Sequence, residues 1–291
     1  QANSNLAYRT KLTVKANSAT PSGTGKTRRG NDTVVIADFK TDTANETRIR
    51  AANQYFNMDA DEGNWTVGGT GGGAFAADAA AAGILGTAAT AVRTTEGAAS
   101  DATGFTVRTV AAGLSSSNYV SFWVRSSAAK AASEMYVFTN DTANIVSPTS
   151  QHNLGALAAN TWTYVRLDLR TASAGAVNAT DTNFGYALAT AFDNNATIDL
   201  DEVKFYQDFV RLDLQLAGGA NAANALTLTM RKANGATAAT GYIHNNGAAA
   251  TSYIVDFVPT PTEGDLVIST SNATEVLSFV ADTSALLGAA S

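Results

Sequence analysis

The sequence predicts an all-β protein: a jelly-roll β-sandwich with an extended N-terminal arm and a second, smaller C-terminal β domain. Three observations predict it. Short segments alternate apolar and polar residues with period two, the mark of strands with one buried face. Polar turn residues separate these segments at close intervals, as in sandwiches. The longest run, residues 32–206, closes on the carboxylate-bearing strand TIDLDEVKFY.

Residues 1–31 read as a basic arm. They carry Arg9, Lys11, Lys15, Lys26, Arg28 and Arg29 and no acid. Leu6, Tyr8, Leu12 and Val14 stand at even steps, as on one face of a strand. The polar, Gly-rich stretch after them cannot bury enough area to order itself. Such an arm needs a surface to lie on, its own body or a neighbouring subunit. Arm-mediated assembly is the preferred expectation, with Leu6, Tyr8, Arg9, Leu12, Val14, Arg28 and Arg29 carrying it.

The first domain is expected over 32–206. Thr33–Phe39, the segment around Trp65 and Val67, Ile84–Val92 and Gly104–Val110 read as its early strands. In Tyr119–Arg125, Val120, Phe122 and Val124 face one way, and Tyr119, Ser121, Trp123 and Arg125 the other. Glu134–Phe138 follows. In Thr161–Leu169 the core side is Thr163, Val165, Leu167 and Leu169; Trp162, Tyr164, Arg166 and Asp168 point outward. Phe184–Leu188 and Thr197–Tyr206 close the set. Residues 207–291 give six further strands: Phe209–Leu216, Ala225–Arg231, Thr240–His244, Ser252–Val258, Asp265–Ser269 and Glu275–Ala281.

Composition bounds the function. The 291 residues allow one large or two ordinary domains. Only 15% of residues are charged and much of the 45% hydrophobic content is alanine, which suits an extracellular or particle surface. With no cysteine, a disulfide framework, a thiolate zinc site and a cysteine nucleophile are excluded. The net charge is −6, so the acidic body does not attract nucleic acid, whereas divalent cations suit it. No segment reaches the length of a membrane span. No leader pattern is visible at the N-terminus, which fits a leader already removed or a virion protein released by lysis.

The segments ADFKTDT, NWTVGG, YVSFWVRSS, NLGALAANTWTYVRLDL, NFGYAL and ATIDLDEVKFY together resemble the galactose-binding-like jelly roll of carbohydrate-binding modules. The resemblance covers about 175 residues by strand type and spacing. It implies a structural Ca²⁺ where first and last strands meet. The matching positions are Asp38 and Asp201, with Asp199 and Asp42 nearby. Glycan binding would use an aromatic and polar face: Tyr119, Trp123, Arg125, Trp162, Tyr164 and Arg166, with Tyr136 and Asp168 beside them. Against this, large aromatics are usually buried, so at least one of Trp123 and Trp162 is expected to pack inside.

Other signals carry less. GTGKT at 23–27 lacks the earlier glycine of a phosphate-binding loop, since position 20 is Thr20. His152 and His244 sit beside turn residues and read as surface loop positions without a nucleophile to serve. No pair of glutamates stands out as a glycosidase pair. The expectation is a non-enzymatic structural protein of an extracellular or viral assembly. The favoured setting is a bacteriophage virion surface component: a head decoration, fibre or tail protein. Its partners would be copies of itself, other subunits and surface glycans. Alternatives are a secreted carbohydrate-binding module and a surface-layer or filament subunit.

Overall fold

The computed structural model describes residues 9–15, 31–34, 47–58, 64–69, 76–84, 86–97, 104–110, 114–145, 147–189, 195–207, 209–217, 225–231, 236–244, 251–268 and 278–282. The expectations placed on Leu6, Tyr8, Arg28, Arg29, Asp38 and Asp42 lie outside these residues. Two units divide the chain: residues 53–207, and residues 1–52 together with 208–291.

The unit of residues 53–207 is a jelly-roll-like sandwich of two antiparallel sheets. The first sheet runs β12 (Thr163–Asp168), β9 (Tyr119–Ser126), β15 (Thr197–Tyr206), β7 (Gly86–Thr95), β6 (Ala76–Gly83), and β4 (Gln54–Phe56) also pairs with β15. The second runs β13 (Ala174–Gly175), β11 (Ser150–Asn153), β10 (Met135–Asn140), β14 (Asn183–Leu188), β8 (Phe105–Thr109), β5 (Thr66–Gly68). Their inner faces meet in one core. Val120, Phe122, Val124, Ile198, Leu200, Val203 and Phe205 come from the first sheet; Met135, Val137, Phe184, Tyr186 and Leu188 come from the second. Phe184 and Phe205 meet edge to face across it, with ring centroids 5.0 Å apart.

Strand β15 holds the sandwich together because one bulge lets it bury both ends. Its pairing with β9 shifts between Asp201 and Lys204, where Glu202 takes a left-handed backbone (φ 54°). The extra residue moves the alternation by one. Val203 and Phe205 therefore return to the core side already used by Ile198 and Leu200. Asp199 and Asp201 before the bulge, and Lys204 and Tyr206 after it, share the outer face with Arg125, Trp123, Ser121 and Tyr119 of β9. At Gly185 of β14 a Cβ would collide with the Thr106 carbonyl and would come within 2.7 Å of the Phe138 ring, so only glycine allows this approach.

Two expectations are corrected here. The sandwich does not take in residue 32: β2 (Asn31–Val34) pairs with β21 (Ser278–Asp282) in the other unit. The strand expected at Ile84–Val92 begins instead at Gly86, as β7, and pairs in a hairpin with β6, a strand not expected, with Ile84 between them. The alanines of β6 favour a helix and show no alternation. Pairing to β7 overrides that local preference.

In the other unit, β1 (Arg9–Lys15) runs parallel to β16 (Val210–Ala217) through seven registered pairs, and β16 pairs antiparallel with β19 (Thr251–Phe257). A four-stranded sheet runs β18 (Thr237–His244), β17 (Ala225–Arg231), β21, β2. A two-stranded one joins β20 (Leu266–Ile268) to β3 (Thr47–Ile49). The arm strand holding Arg9, Leu12 and Val14 thus finds its hydrogen-bond partner in its own chain. That pairing gives the described part of the arm a place within its own chain. Among the described residues no helix is long and apolar enough to cross a membrane.

Candidate functional site

The residues singled out for glycan contact gather on the outer face of the first sheet. Register places Tyr164 opposite Trp123, Arg166 opposite Ser121 and Asp168 opposite Tyr119. On the far side of β9, Arg125 stands opposite Asp199, Trp123 opposite Asp201 and Tyr119 opposite Tyr206. Arg93 of β7 continues the row through Asp199. Trp162 joins it just before β12, with the Arg125 guanidinium 4.7 Å from its ring centroid. Tyr136 does not belong here: it lies on β10 of the other sheet, packed near Phe138.

The face has two tiers. The lower tier is aromatic and acidic. Trp123 is 5% exposed and Trp162 is 3% exposed, which meets the expectation of a packed tryptophan and removes both as open platforms. Tyr119 is buried too and stacks on Tyr206 at 5.6 Å. Asp199 and Asp201 are almost fully enclosed. The upper tier is made of guanidiniums. Arg93 and Arg125 both grip Asp199, with Nε–O distances of 2.6 and 2.9 Å. Arg166 and Arg170 lie over the Tyr119 ring at 5.4 and 5.0 Å. Arg170 also grips Asp168 through Nε and Nη2 and donates to the Tyr119 hydroxyl at 2.8 Å. Tyr164 is the half-buried aromatic of the face, its ring 5.3 Å from Trp123, which supports it from below.

Near the bulge, the Tyr55 hydroxyl donates to the Glu202 carboxylate at 3.0 Å, and the Lys204 ammonium lies 5.0 Å from the Tyr55 ring. The hairpin of β6 and β7 bends down on the face. The Ala82 carbonyl accepts from Arg125 at 3.2 Å and the Ile84 N–H donates to Asp201 at 2.8 Å. These charges set the local electrostatics. The Arg170 hydrogen bond holds the Asp168 carboxyl below the usual range and raises Arg170 in turn. The Asp199 hydrogen bond raises Arg93.

No protein-family model and no curated protein matches the chain. Solved structures similar to it include carbohydrate-binding modules. One is a family 11 module from Clostridium thermocellum in complex with a β-1,3-1,4-mixed-linked tetrasaccharide: 12% identity, 55% of this chain, 97% of that chain, TM-score 0.41. Another is the family 11 module of a cellulosomal cellulase of Clostridium thermocellum, at 15% identity, 56% and 98% coverage and TM-score 0.39. A third is a C-terminal family 22 module of a Clostridium thermocellum protein, at 16% identity, 54% and 95% coverage and TM-score 0.32. These likenesses are of fold and assign no family.

Of the expected calcium positions, Asp199 and Asp201 have other partners. Both Asp199 oxygens are taken by Arg93 and Arg125. Asp201 accepts the N–H groups of Ile84 and Glu202. Among the described residues no group of three or more His, Cys, Asp or Glu side chains is placed to hold a metal ion. His152 is not in a surface loop: it sits on β11, 3% exposed, with Nε2 3.4 Å from the Ser150 hydroxyl. Burial lowers its pKa, and nearby Asp168 opposes this.

Sequence reasoning missed Arg93, Arg170, Lys204 and Tyr55. Arg93 had a readable signal, since it alternates with Val92 and Thr94 on β7. The bulge that turns Lys204 outward had none.

Proposed function

We propose that residues 53–207 form a non-catalytic glycan-binding module whose site is the outer face of β12, β9 and β15. The observation that carries this is the half-open Tyr164 ring between two sets of guanidinium donors, Arg93 with Arg125 and Arg166 with Arg170. A sugar offers apolar C–H faces and rings of hydroxyls. An aromatic surface beside fixed hydrogen-bond donors matches both. The site is built on strands and locked from below, so little ordering is needed on binding.

The setting proposed is extracellular, as a secreted module. The virion setting rested on the absent leader pattern, on composition and on an ordered arm, and the β1–β16 pairing gives the described arm strand a place within the chain. Screening the full chain on a broad glycan array tests the reading. Binding to a defined glycan, lost on Tyr164→Ala with an unchanged unfolding midpoint, is the expected result. Absence of binding to any glycan returns the module to a purely structural role.

A further inference from the structure

The charge distribution on this face points to a class of glycan. Residues 53–207 hold fourteen Asp and Glu against seven Lys and Arg. Five of those seven cations, Arg93, Arg125, Arg166, Arg170 and Lys204, belong to the one face described above. The other two are used elsewhere: Arg108 lies 3.9 Å from the Phe56 ring centroid, and Lys130 is enclosed with Glu96. An acidic domain has thus collected its cations in one place.

The acids beneath do not cancel them. Arg93 and Arg125 share the single carboxylate of Asp199, and Arg166 and Arg170 both act on that of Asp168. With Lys204 set beside Asp201 and Glu202, the five cations of the face exceed its four carboxylates by one. Height matters as well. The Asp199 side chain is 2% exposed beneath guanidiniums that are 35% and 25% exposed. Asp201 and Glu202 are buried, and Glu202 is bonded by Tyr55. At Asp199 solvent therefore meets guanidinium first and carboxylate second, whereas Asp168, 29% exposed, lies beside the 46% exposed Arg170. Arg125 and the Ser121–Arg166 pair stand four residues apart along β9, about 13 Å, with Tyr164 and Trp123 between them. That is a spacing a short oligosaccharide spans.

We propose that the face binds an acidic glycan, one that carries carboxylate or sulfate groups on successive sugars. Its anions would meet the two guanidinium groups while a ring between them packs on Tyr164. Guanidinium forks suit both carboxylate and sulfate, and a positive patch on a negative protein excludes nonspecific polyanion adhesion. This proposal rests on the glycan-binding reading of the same face.

The test compares polygalacturonate with its methyl-esterified form, and dextran sulfate with dextran, by calorimetric titration of the full chain. Binding of one acidic polymer at least about tenfold tighter than its neutral counterpart, weakening with salt, is expected. Arg166→Gln should remove most of that preference at an unchanged unfolding midpoint, and Arg93→Gln should remove it with a fall in the midpoint, since the enclosed Asp199 then keeps only Arg125. Arg28→Gln with Arg29→Gln in the basic arm should leave it intact; loss there overturns the proposal. Preference for the carboxylated or the sulfated polymer identifies the anion. Equal affinity for charged and neutral forms, lost on Tyr164→Ala, overturns the acidic class and leaves the glycan site standing. Failure to bind any polymer overturns both.

Discussion

Replacing Lys130 with Met tests how the sandwich is closed at the end of β7. The Lys130 ammonium lies 2.6 Å from Glu96 and 3.8 Å from Glu134, and the side chains of Lys130 and Glu96 are 0% exposed. Backbone bonds in both directions, 2.9 Å each, tie Lys130 to Leu157. The pair therefore joins the end of β7, the connection from β9 to β10, and the segment after β11. Lys130→Met leaves the Glu96 carboxylate enclosed without its cation. Removing one partner of a buried pair costs about 3–5 kcal/mol, because the stranded charge is the expensive species. Replacing both, Lys130→Met with Glu96→Leu, should recover most of that loss, since an apolar pair of similar volume has no desolvation penalty. Urea unfolding followed by tryptophan fluorescence reads the effect cleanly, as Trp65, Trp123 and Trp162, the three tryptophans of the chain, all lie in residues 53–207. A single replacement costing less than about 1 kcal/mol, or a double replacement costing the sum of two singles, refutes the reasoning.

Three further outcomes are expected. Burial lowers the His152 pKa below 6.5, so the unfolded chain takes the proton first; stability is intact above pH 6.5 and is lost as pH falls through the folded-state value. Unfolding midpoints from pH 8 to 5 should show this fall, flattened in His152→Gln, whereas the lowered Asp168 contributes its own loss only below 3.8. Deleting residues 1–15 strips β16 of its parallel neighbour and exposes an edge, so the truncated chain should self-associate on light scattering; a well-behaved monomer of unchanged stability contradicts this. Because both Asp199 oxygens are occupied by arginines, a chelator should leave the tryptophan-reported midpoint unchanged, and a clear drop would show that a cation supports the fold.

Much of the fold was legible because alternation is a local signal. TIDLDEVKFY was read to its end residues, and the faces of β9 and β12 were assigned correctly because Val120, Phe122, Val124, Val165 and Leu167 mark the core side. Strands without alternation were invisible: AADAAAAG reads as helix or loop until β7 pairs with it. Short pairings such as Ser150–Asn153 carry too few residues to show a period. At the site, sequence found which residues share a face but not their order in height. At least one of Trp123 and Trp162 was expected to pack inside; both are floor, because Tyr164 and Arg125 lie beside or over them. That layering depends on strand pairing and on the β15 bulge, which are nonlocal. The pairing of the arm strand was hidden for the same reason: its partner, β16, begins about 200 residues away.

Backbone amide shift mapping with a bound oligosaccharide tests the central claim most directly, because it locates the ligand without relying on any substitution. The perturbed amides should cluster on Tyr119–Arg125 and Tyr164–Arg170, with Arg93 and Asp199 at the rim. Shifts confined to the outer face of the second sheet around Phe105 and Tyr136, or to residues 208–291, would contradict it.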